Sequence, residues 1–169
     1  MPKVILYLAL VLLFAADQVR AETSTRQHLF KIERSKNANI VQYDAQVRPD
    51  GKLSTKDPVI AYWIRLAEQG QEQPLSWVQK TFAYGFKARP DRDKDTVELE
   101  MKADLARPIL VTRAGEDYRA RIVIDGADSW LEKIFIQAEG RGLSVKVEYV
   151  ELFGVDVQSR EQRYEKFIP

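Results

Sequence analysis

Residues 118–138 read YRARIVIDGADSWLEKIFIQA, and this stretch predicts the fold class. On each side of Asp125-Gly126 the apolar side chains share one parity, which is the period of a half-buried strand. Asp-Gly is a strong signal for a two-residue hairpin turn. The apolar residues of one parity are Tyr118, Ala120, Ile122, Ile124, Trp130, Ile134, Ile136 and Ala138. We therefore expect an antiparallel hairpin within a β-rich domain.

Segments on both sides of this hairpin repeat the period of two. Further strands are predicted at residues 29–32, 40–47, 59–66, 97–103, 109–113, 143–152 and 164–168. A reversal of apolar parity between Tyr149 and Val150 predicts a β-bulge, because one extra residue moves the following side chains to the other face. The charged run at 87–95 is typical of an exposed loop.

One segment has a helical period. After Pro74, apolar residues recur at steps of three, four and four: Leu75, Val78, Phe82 and Phe86. Pro74 suits the first turn of a helix and Gly85 suits its end. The sequence thus predicts a mainly β, single-domain antiparallel β-sandwich or flattened barrel with one short α-helix at about 75–84.

The N-terminus predicts export. Lys3 precedes thirteen uncharged residues, Val4 to Ala16, and this run is shorter than the roughly 20 apolar residues of a spanning helix. Val19 and Ala21 suit a signal peptidase pocket. We expect a signal peptide at 1–21, a single β-rich domain at 22–169 in the periplasm or outside the cell, and no stable membrane span after cleavage.

Charge and composition exclude several functions. The chain has 26 Lys and Arg against 25 Asp and Glu, and losing Lys3, Arg20 and Asp17 leaves 24 of each sign. A neutral surface argues against nucleic acid, which demands a basic face. Cysteine is absent, which excludes thiol chemistry. We expect no cofactor.

No complete metal or catalytic motif is present. Asp91, Asp93 and Asp95 have the spacing that opens a calcium loop, but its sixth position is Thr96 and its twelfth is Lys102. We therefore expect no metal site. The single histidine, His28, makes a Ser-His-Asp triad improbable, and we interpret it as a solvated residue near the mature terminus. Carboxylates available for glycan hydrolysis are Glu98, Glu100, Glu148 and Glu151, and solvated strand faces also explain them.

The candidate ligand-binding residues lie in a polar loop and among nearby aromatics. Residues 34–39, RSKNAN, offer a guanidinium, a hydroxyl, an ammonium and two amides between two predicted strands. This group can coordinate an anion or a sugar, but Ser and Asn also serve turns through backbone amides. The proposed set is Arg34, Ser35, Asn37 and Asn39, extended by Tyr62 and Tyr84. We assign no catalytic residue.

Several stretches together carry a resemblance. They are HLFKIERSKNANIVQY at 28–43, AYWI at 61–64, PLSWVQKTFAYGF at 74–86, RP at 107–108, LEKI at 131–134 and VEYVELFG at 147–154. In this order they resemble a family of exported bacterial proteins described as a domain of unknown function, DUF4833, from about residue 28 to the C-terminus. The resemblance implies one domain with a signal peptide. It implies no activity, cofactor or catalytic residue.

These observations favour an exported envelope domain that binds a small molecule, a glycan or an envelope protein without catalysis. A periplasmic glycan hydrolase using carboxylates, and a structural accessory of an envelope complex, stay open as alternatives. A pocket lined by close carboxylates favours the hydrolase. An aromatic groove without them favours a ligand, and a flat exposed apolar patch favours a protein partner.

Overall fold

The computed structural model describes residues 24–102, 107–140 and 146–169, and it is mainly β. The strands are β1 (Thr25–Arg34), β2 (Asn37–Val47), β3 (Val59–Arg65), β4 (Gln71–Pro74), β5 (Phe86–Asp91), β6 (Thr96–Met101), β7 (Ile109–Ala114), β8 (Asp117–Ile124), β9 (Ala127–Glu139), β10 (Lys146–Asp156) and β11 (Gln162–Phe167). One α-helix, α1 (Trp77–Phe82), and a 3-10 turn (Leu66–Glu68) complete the set of described elements. The predicted signal peptide and the predicted start of the mature chain at Glu22 lie outside the described residues.

The strands form one sheet in the order β4-β3-β2-β1-β9-β8-β7-β6-β5, with β10 and β11 branching from β9. The sheet curls into a half-barrel, which confirms the predicted mainly β class. Strand β9 is long enough to pair with three other strands. Along one edge it pairs with β10, and along the other it pairs first with β8 through 127–130 and then with β1 through 133–136.

The sheet departs from the prediction in one pairing. β1 and β9 are parallel, whereas we expected antiparallel strands throughout. The alternation of side chains is the same in both kinds of pairing, so the sequence pattern carries no signal that separates them. The predicted hairpin is confirmed, with φ of 48° at Asp125 and 72° at Gly126. The predicted bulge is confirmed as a shift of register in β10 between Val147 and Tyr149.

The concave side of the half-barrel holds the core. Phe30 of β1 stacks on Tyr43 of β2, with ring centroids 4.4 Å apart. Burying the Phe30 ring contributes about 1.5–3 kcal/mol to the free energy of unfolding. The largest fully buried side chains are Tyr43, Tyr118, Phe30, Ile32, Leu99, Ile109, Ile124, Ile134, Leu152, Val41, Val97 and Val111. They come from seven strands, β9 and six others, so the curl brings the two halves of the sheet together.

The predicted short helix is confirmed within narrower bounds, and the loop predicted at 87–95 was wrong in its first half. The helix is shorter than 75–84, because Ser76 caps it by accepting from the Gln79 amide and Leu75 enters the core before it begins. Its Val78 is exposed rather than buried. The run at 87–95 is not all loop, because β5 occupies its first half and pairs with β6. None of the described helices has the length and hydropathy needed to cross a bilayer.

Strand β5 forms despite its charge because strand parity separates its side chains. Arg89 points outward, where its guanidinium lies 3.1 Å from a Glu98 carboxylate oxygen and also binds Glu100 across the β5–β6 pair. Ala88, on the opposite parity, packs against the core. Opposite charges on adjacent strands stabilise the pairing of a polar strand.

Candidate functional site

The two ends of the curled sheet are consecutive in the chain. β4 ends at Pro74 and β5 begins at Phe86, yet they stand at opposite ends of the strand order. The segment 75–85, which contains α1, therefore crosses the opening between the two sheet edges. We name this segment together with the two edges the seam.

Buried contacts hold the seam segment at both ends. Leu75 and Tyr84 are each 5% exposed. The Tyr84 ring meets Trp63 edge-on at a centroid distance of 5.0 Å, and its carbonyl accepts a 2.6 Å hydrogen bond from the Tyr43 hydroxyl. Gly85 lies against the end of α1, where a Cβ would stand 1.7 Å from the Lys80 carbonyl oxygen. Glycine is therefore required at this position for the helix to pack as it does.

The outer face of α1 is apolar and exposed. Trp77, Val78 and Phe82 are 73%, 49% and 67% exposed, and no residue of the helix is buried. Trp77 and Phe82 contact each other nearly at right angles, with ring centroids 6.1 Å apart. The helix thus presents large apolar side chains to solvent while its flanking residues anchor it. Exposed apolar clusters of this kind mark binding surfaces.

A cleft of about 260 Å³ opens beside α1 in the seam. We name it the seam cleft, and its lining is Asp57, Val59, Ile60, Ala61, Leu75, Lys80, Tyr84, Gly85 and Phe86. Most of these side chains are apolar, with one carboxylate and one ammonium among them. Tyr84, which the sequence proposed as a ligand contact, lies in this wall. Lys80 belongs to α1 and lines the cleft, so the cleft lies beside the helix.

A second cluster lies on the outer face of β1, β2 and β3. Its centre is the Asp44 carboxylate, which is 3% exposed. It accepts a short hydrogen bond from the Tyr62 hydroxyl and a 3.0 Å bond from the Gln42 amide, and the His28 Nδ1 lies 3.3 Å away. We name these four residues the outer-face cluster. The cross-strand pairs His28 with Asp44 and Gln42 with Tyr62 set this arrangement.

The electrostatics of the outer-face cluster follow from its contacts. Burial raises the pKa of Asp44, but hydrogen bonds from His28, Tyr62 and Gln42 outweigh it and hold that pKa below its usual value. Burial and the Asp44 carboxylate raise the pKa of Tyr62 to about 12. The Arg26 guanidinium covers the Tyr62 ring at 5.1 Å and binds Glu72 at 2.7 Å. The Asp44 carboxylate is thus a buried charge, and each of its two oxygens accepts a hydrogen bond.

His28 is solvated as expected, and it also has a contact that the sequence did not predict. Its ring is half exposed, but Nδ1 is oriented by the buried Asp44, which leaves Nε2 as the ring nitrogen away from the carboxylate. The sequence did not predict this pair, because Asp44 alternates with the apolar residues of β2 and such a residue is expected to face solvent. Cross-strand register, which the sequence does not show, brings the two side chains together.

The loop at 34–39 is a two-residue turn. Lys36 takes a positive φ of 60°, and the Ser35 hydroxyl both donates to and accepts from the Ala138 backbone at 3.0 Å. The Asn37 side chain accepts from the Asn39 amide, as an Asx turn does. The side-chain oxygen of Asn39 is buried and lacks a hydrogen-bond partner among the described residues. Arg34 lies opposite Asn37 in the register of β1 and β2.

The structure does not bring all six proposed ligand residues together. Tyr62 pairs in register with Gln42, and its hydroxyl is bound to Asp44 rather than directed to the loop at 34–39. Tyr84 lies in the seam cleft. Turn chemistry accounts for Ser35 and Asn37, and a ligand-binding role for the loop stays a prediction.

Most of the acidic residues singled out in the sequence bind other side chains or the backbone. Glu98 and Glu100 share Arg89, and Glu151 accepts from the Tyr164 hydroxyl at 2.8 Å. Asp91 accepts from the Lys94 amide, whereas Asp95 binds the Tyr118 hydroxyl. Within the described ranges, no group of three or more His, Asp or Glu side chains is placed to hold a metal ion.

Comparison with known proteins identifies the family. Residues 30–166 match the family model described as Domain of unknown function (DUF4833). No curated protein and no solved structure matches the chain. The matched range includes the seam, and it also includes every member of the outer-face cluster except His28. Because the match covers most of the chain, this protein belongs to the DUF4833 family.

Proposed function

We propose that this protein is an exported binding domain of the bacterial envelope, and that its partner docks on the seam without being chemically changed. The observation that carries the proposal is the exposed face of α1, where Trp77 and Phe82 are 73% and 67% exposed beside the seam cleft. Leaving such side chains in water forgoes about 1.5–3 kcal/mol each relative to burial, which a partner can recover.

The seam supports a protein partner better than a sugar. Sugars stack on the flat face of an aromatic ring, but Trp77 and Phe82 meet at an interplanar angle of 89° and form a raised corner. A corner of this shape fits into an apolar depression on another protein. Aromatic anchors surrounded by polar residues are typical of the centre of a protein interface.

The export part of the proposal rests on the first 21 residues. Their charge pattern and the short apolar run are those of a cleavable signal, and the charge balance of 22–169 suits a domain that meets neither nucleic acid nor anionic lipid. The hydrolase alternative has less support, because Glu98 and Glu100 share one arginine on an outward strand face.

Site-specific photo-crosslinking in cells tests the docking surface. A photoreactive side chain replaces Trp77 in the full chain, and a matched control carries it in place of Val123, which is 48% exposed on β8 away from the seam. We expect a discrete adduct from position 77, absent from position 123 and weakened by Phe82→Ala. Equal adducts at both positions, or none at position 77, would contradict the proposal. Fractionation and the mass of the recovered protein test export, with Glu22 expected as the first residue.

A further inference from the structure

The wall of the half-barrel lacks part of one strand at the seam. β4 pairs with β3 only through residues 62–65, because the chain leaves the sheet after Pro74. Residues 59–61 of β3 continue beyond that pairing and have β2 as their neighbour on one side. On the other side, no strand pairs with them among the described residues, and the seam cleft occupies that position.

Main-chain groups of β3 face this gap. The Gln46 amide donates to the Pro58 carbonyl at 2.9 Å, so this carbonyl points toward β2. Successive residues of a strand direct their N–H and C=O groups to alternate edges. Val59 and Ala61 therefore direct theirs to the edge where β4 lies. Because Pro74 has no N–H, its pairing with Tyr62 closes through the flanking residues, and the Ala61 carbonyl accepts from the Leu75 amide. The Val59 N–H and C=O and the Ala61 N–H lie beyond this bond, where no strand pairs with β3 within the described part of the chain.

β5 presents a matching edge. The Lys102 amide donates to the Gly85 carbonyl at 2.8 Å, so by the same alternation Phe86, Ala88 and Pro90 direct their groups away from β6. Phe86 lines the seam cleft together with Ala61. Pro90 has no N–H, which limits the donors of this open edge to Phe86 and Ala88.

The directions of the two edges agree. From β3 round to β5, every neighbouring pair is antiparallel except β1 with β9, so β3 and β5 run the same way. A single inserted strand is therefore antiparallel to both. β4, which is antiparallel to β3, already occupies the neighbouring position along this line. The vacant position is thus the continuation of β4 beyond Leu75, whose amide binds the Ala61 carbonyl.

We infer that the seam accepts an extended peptide segment of a partner protein, which adds as a β-strand along β3, β5 or both. This inference rests on the proposed function and specifies the kind of partner. Main-chain hydrogen bonds to Val59, Ala61, Phe86 and Ala88 hold the peptide, as in other cases of strand addition. One apolar side chain of the peptide enters the seam cleft between Leu75 and Phe86. Its flanking residues contact Trp77 and Phe82.

The probe is a random peptide library displayed on phage, selected on protein purified after expression of the full chain. Enriched peptides are synthesised and their binding is followed by amide hydrogen exchange. We expect slowed exchange at Val59, Ala61, Phe86 and Ala88 and unchanged exchange in β11. N-methylation of alternate peptide amides should weaken binding at least about tenfold, as expected for one or two lost hydrogen bonds.

Two variants test the edges themselves. Ala88→Pro removes an amide of the same parity as the native Pro90, and Ala88→Ser is its matched control. Ala61→Pro and Ala61→Ser form the same pair on β3, and thermal melting identifies any variant that fails to fold. Weaker peptide binding by a folded proline variant, with its serine control unaffected, supports strand addition.

Other outcomes overturn the inference. Slowed exchange confined to α1, or binding that survives N-methylation, shows docking without strand addition. No enriched peptide, or occupation of the cleft by a second copy of the protein in sedimentation experiments, also rejects a foreign strand. An adduct at position 77 alongside any of these results leaves the proposed function standing. Loss of that adduct removes both.

Discussion

The outer-face cluster and the seam differ in how their side chains are satisfied. In the outer-face cluster, a carboxylate that is 3% exposed has three hydrogen-bonding neighbours from its own sheet. In the seam, Trp77 and Phe82 stand in solvent and two strand edges have open main-chain groups. Both regions lie next to β3. The side chains of the cluster bind one another, whereas the exposed side chains of the seam are available to a partner, so the proposed binding surface is not the region richest in polar side chains.

Within the outer-face cluster, the largest expected effect is at its centre, the Asp44 carboxylate. Asp44→Ala removes the acceptor of the Tyr62 hydroxyl, which stays buried without it, and of the half-buried Gln42 amide, which keeps only its bond to the Tyr62 hydroxyl. We expect the free energy of unfolding to fall by about 3 kcal/mol, because each orphaned buried group costs about 1–3 kcal/mol. Urea unfolding measures it. Asp57→Ala, in the wall of the seam cleft, is the matched control, with an expected change below about 0.5 kcal/mol.

A similar loss of stability from Asp44→Ala and Asp57→Ala would contradict this comparison, because the wall of the seam cleft would then contribute as much to the free energy of unfolding as the outer-face cluster. Retained binding of seam peptides by a folded Asp44→Ala protein would sharpen it. That result would separate the stabilising region from the binding region.

The next effect lies in the packing of the seam. Gly85→Ala places a Cβ 1.7 Å from the Lys80 carbonyl oxygen, so the end of α1 must move. We expect a loss of about 1–3 kcal/mol in the free energy of unfolding, as for other overpacked sites. Amide exchange should accelerate across residues 75–86. Gly115→Ala is the control: an added Cβ meets nothing within 4 Å, although the φ of 71° strains the backbone locally, so exchange in the seam should stay unchanged.

A pH effect of smaller size separates the two regions again. The pKa of Asp44 is lower in the folded protein than its usual value of about 3.9. Its stabilising contribution is therefore present above the unfolded pKa and is lost as pH falls through the folded pKa. We expect the stability difference between the native protein and Asp44→Asn to shrink below about pH 4. Urea unfolding at several pH values measures it. A difference that stays constant to pH 2 would show that Asp44 does not titrate differently on folding.

At alkaline pH the effect on stability runs in the opposite direction, because it is lost as pH rises. The pKa of Tyr62 is raised to about 12, so the stability it contributes is present below its unfolded pKa near 10 and is lost as pH rises from there toward 12. Tyr62→Phe should reduce this alkaline loss. The reduction is partial, because burial and Asp95 also raise the pKa of Tyr118 to about 12. An equal loss of stability at alkaline pH in the native protein and Tyr62→Phe would show that Tyr62 does not contribute to it.

Sequence periodicity predicted most of the strands because parity alone distinguishes a half-buried strand. The Asp125-Gly126 turn and the bulge in β10 were predictable for the same local reason. Neither candidate region was predictable in this way. His28 and Asp44 meet through cross-strand register, and α1 exposes Val78 and Phe82 because Leu75 and Tyr84 bury the segment instead. The helical spacing was real, but the capped helix is too short to carry a buried face.

The smallest expected change in stability is at the exposed face of α1, and it is the most informative for function. Trp77→Ala and Phe82→Ala remove rings that chiefly contact each other and water, so each should alter the free energy of unfolding by less than about 0.5 kcal/mol. Tyr84→Ala, two residues beyond Phe82 but buried against Trp63, should cost about 3–5 kcal/mol. Urea unfolding of the three variants measures the contrast.

This contrast decides what the exposed rings are for. A surface kept apolar without a stabilising role has its contacts outside the chain, so loss of the position 77 adduct at unchanged stability would tie Phe82 to a partner. A loss of several kcal/mol from Phe82→Ala would instead place the ring within the fold. The seam would then resemble the outer-face cluster, and the difference between the two regions would disappear.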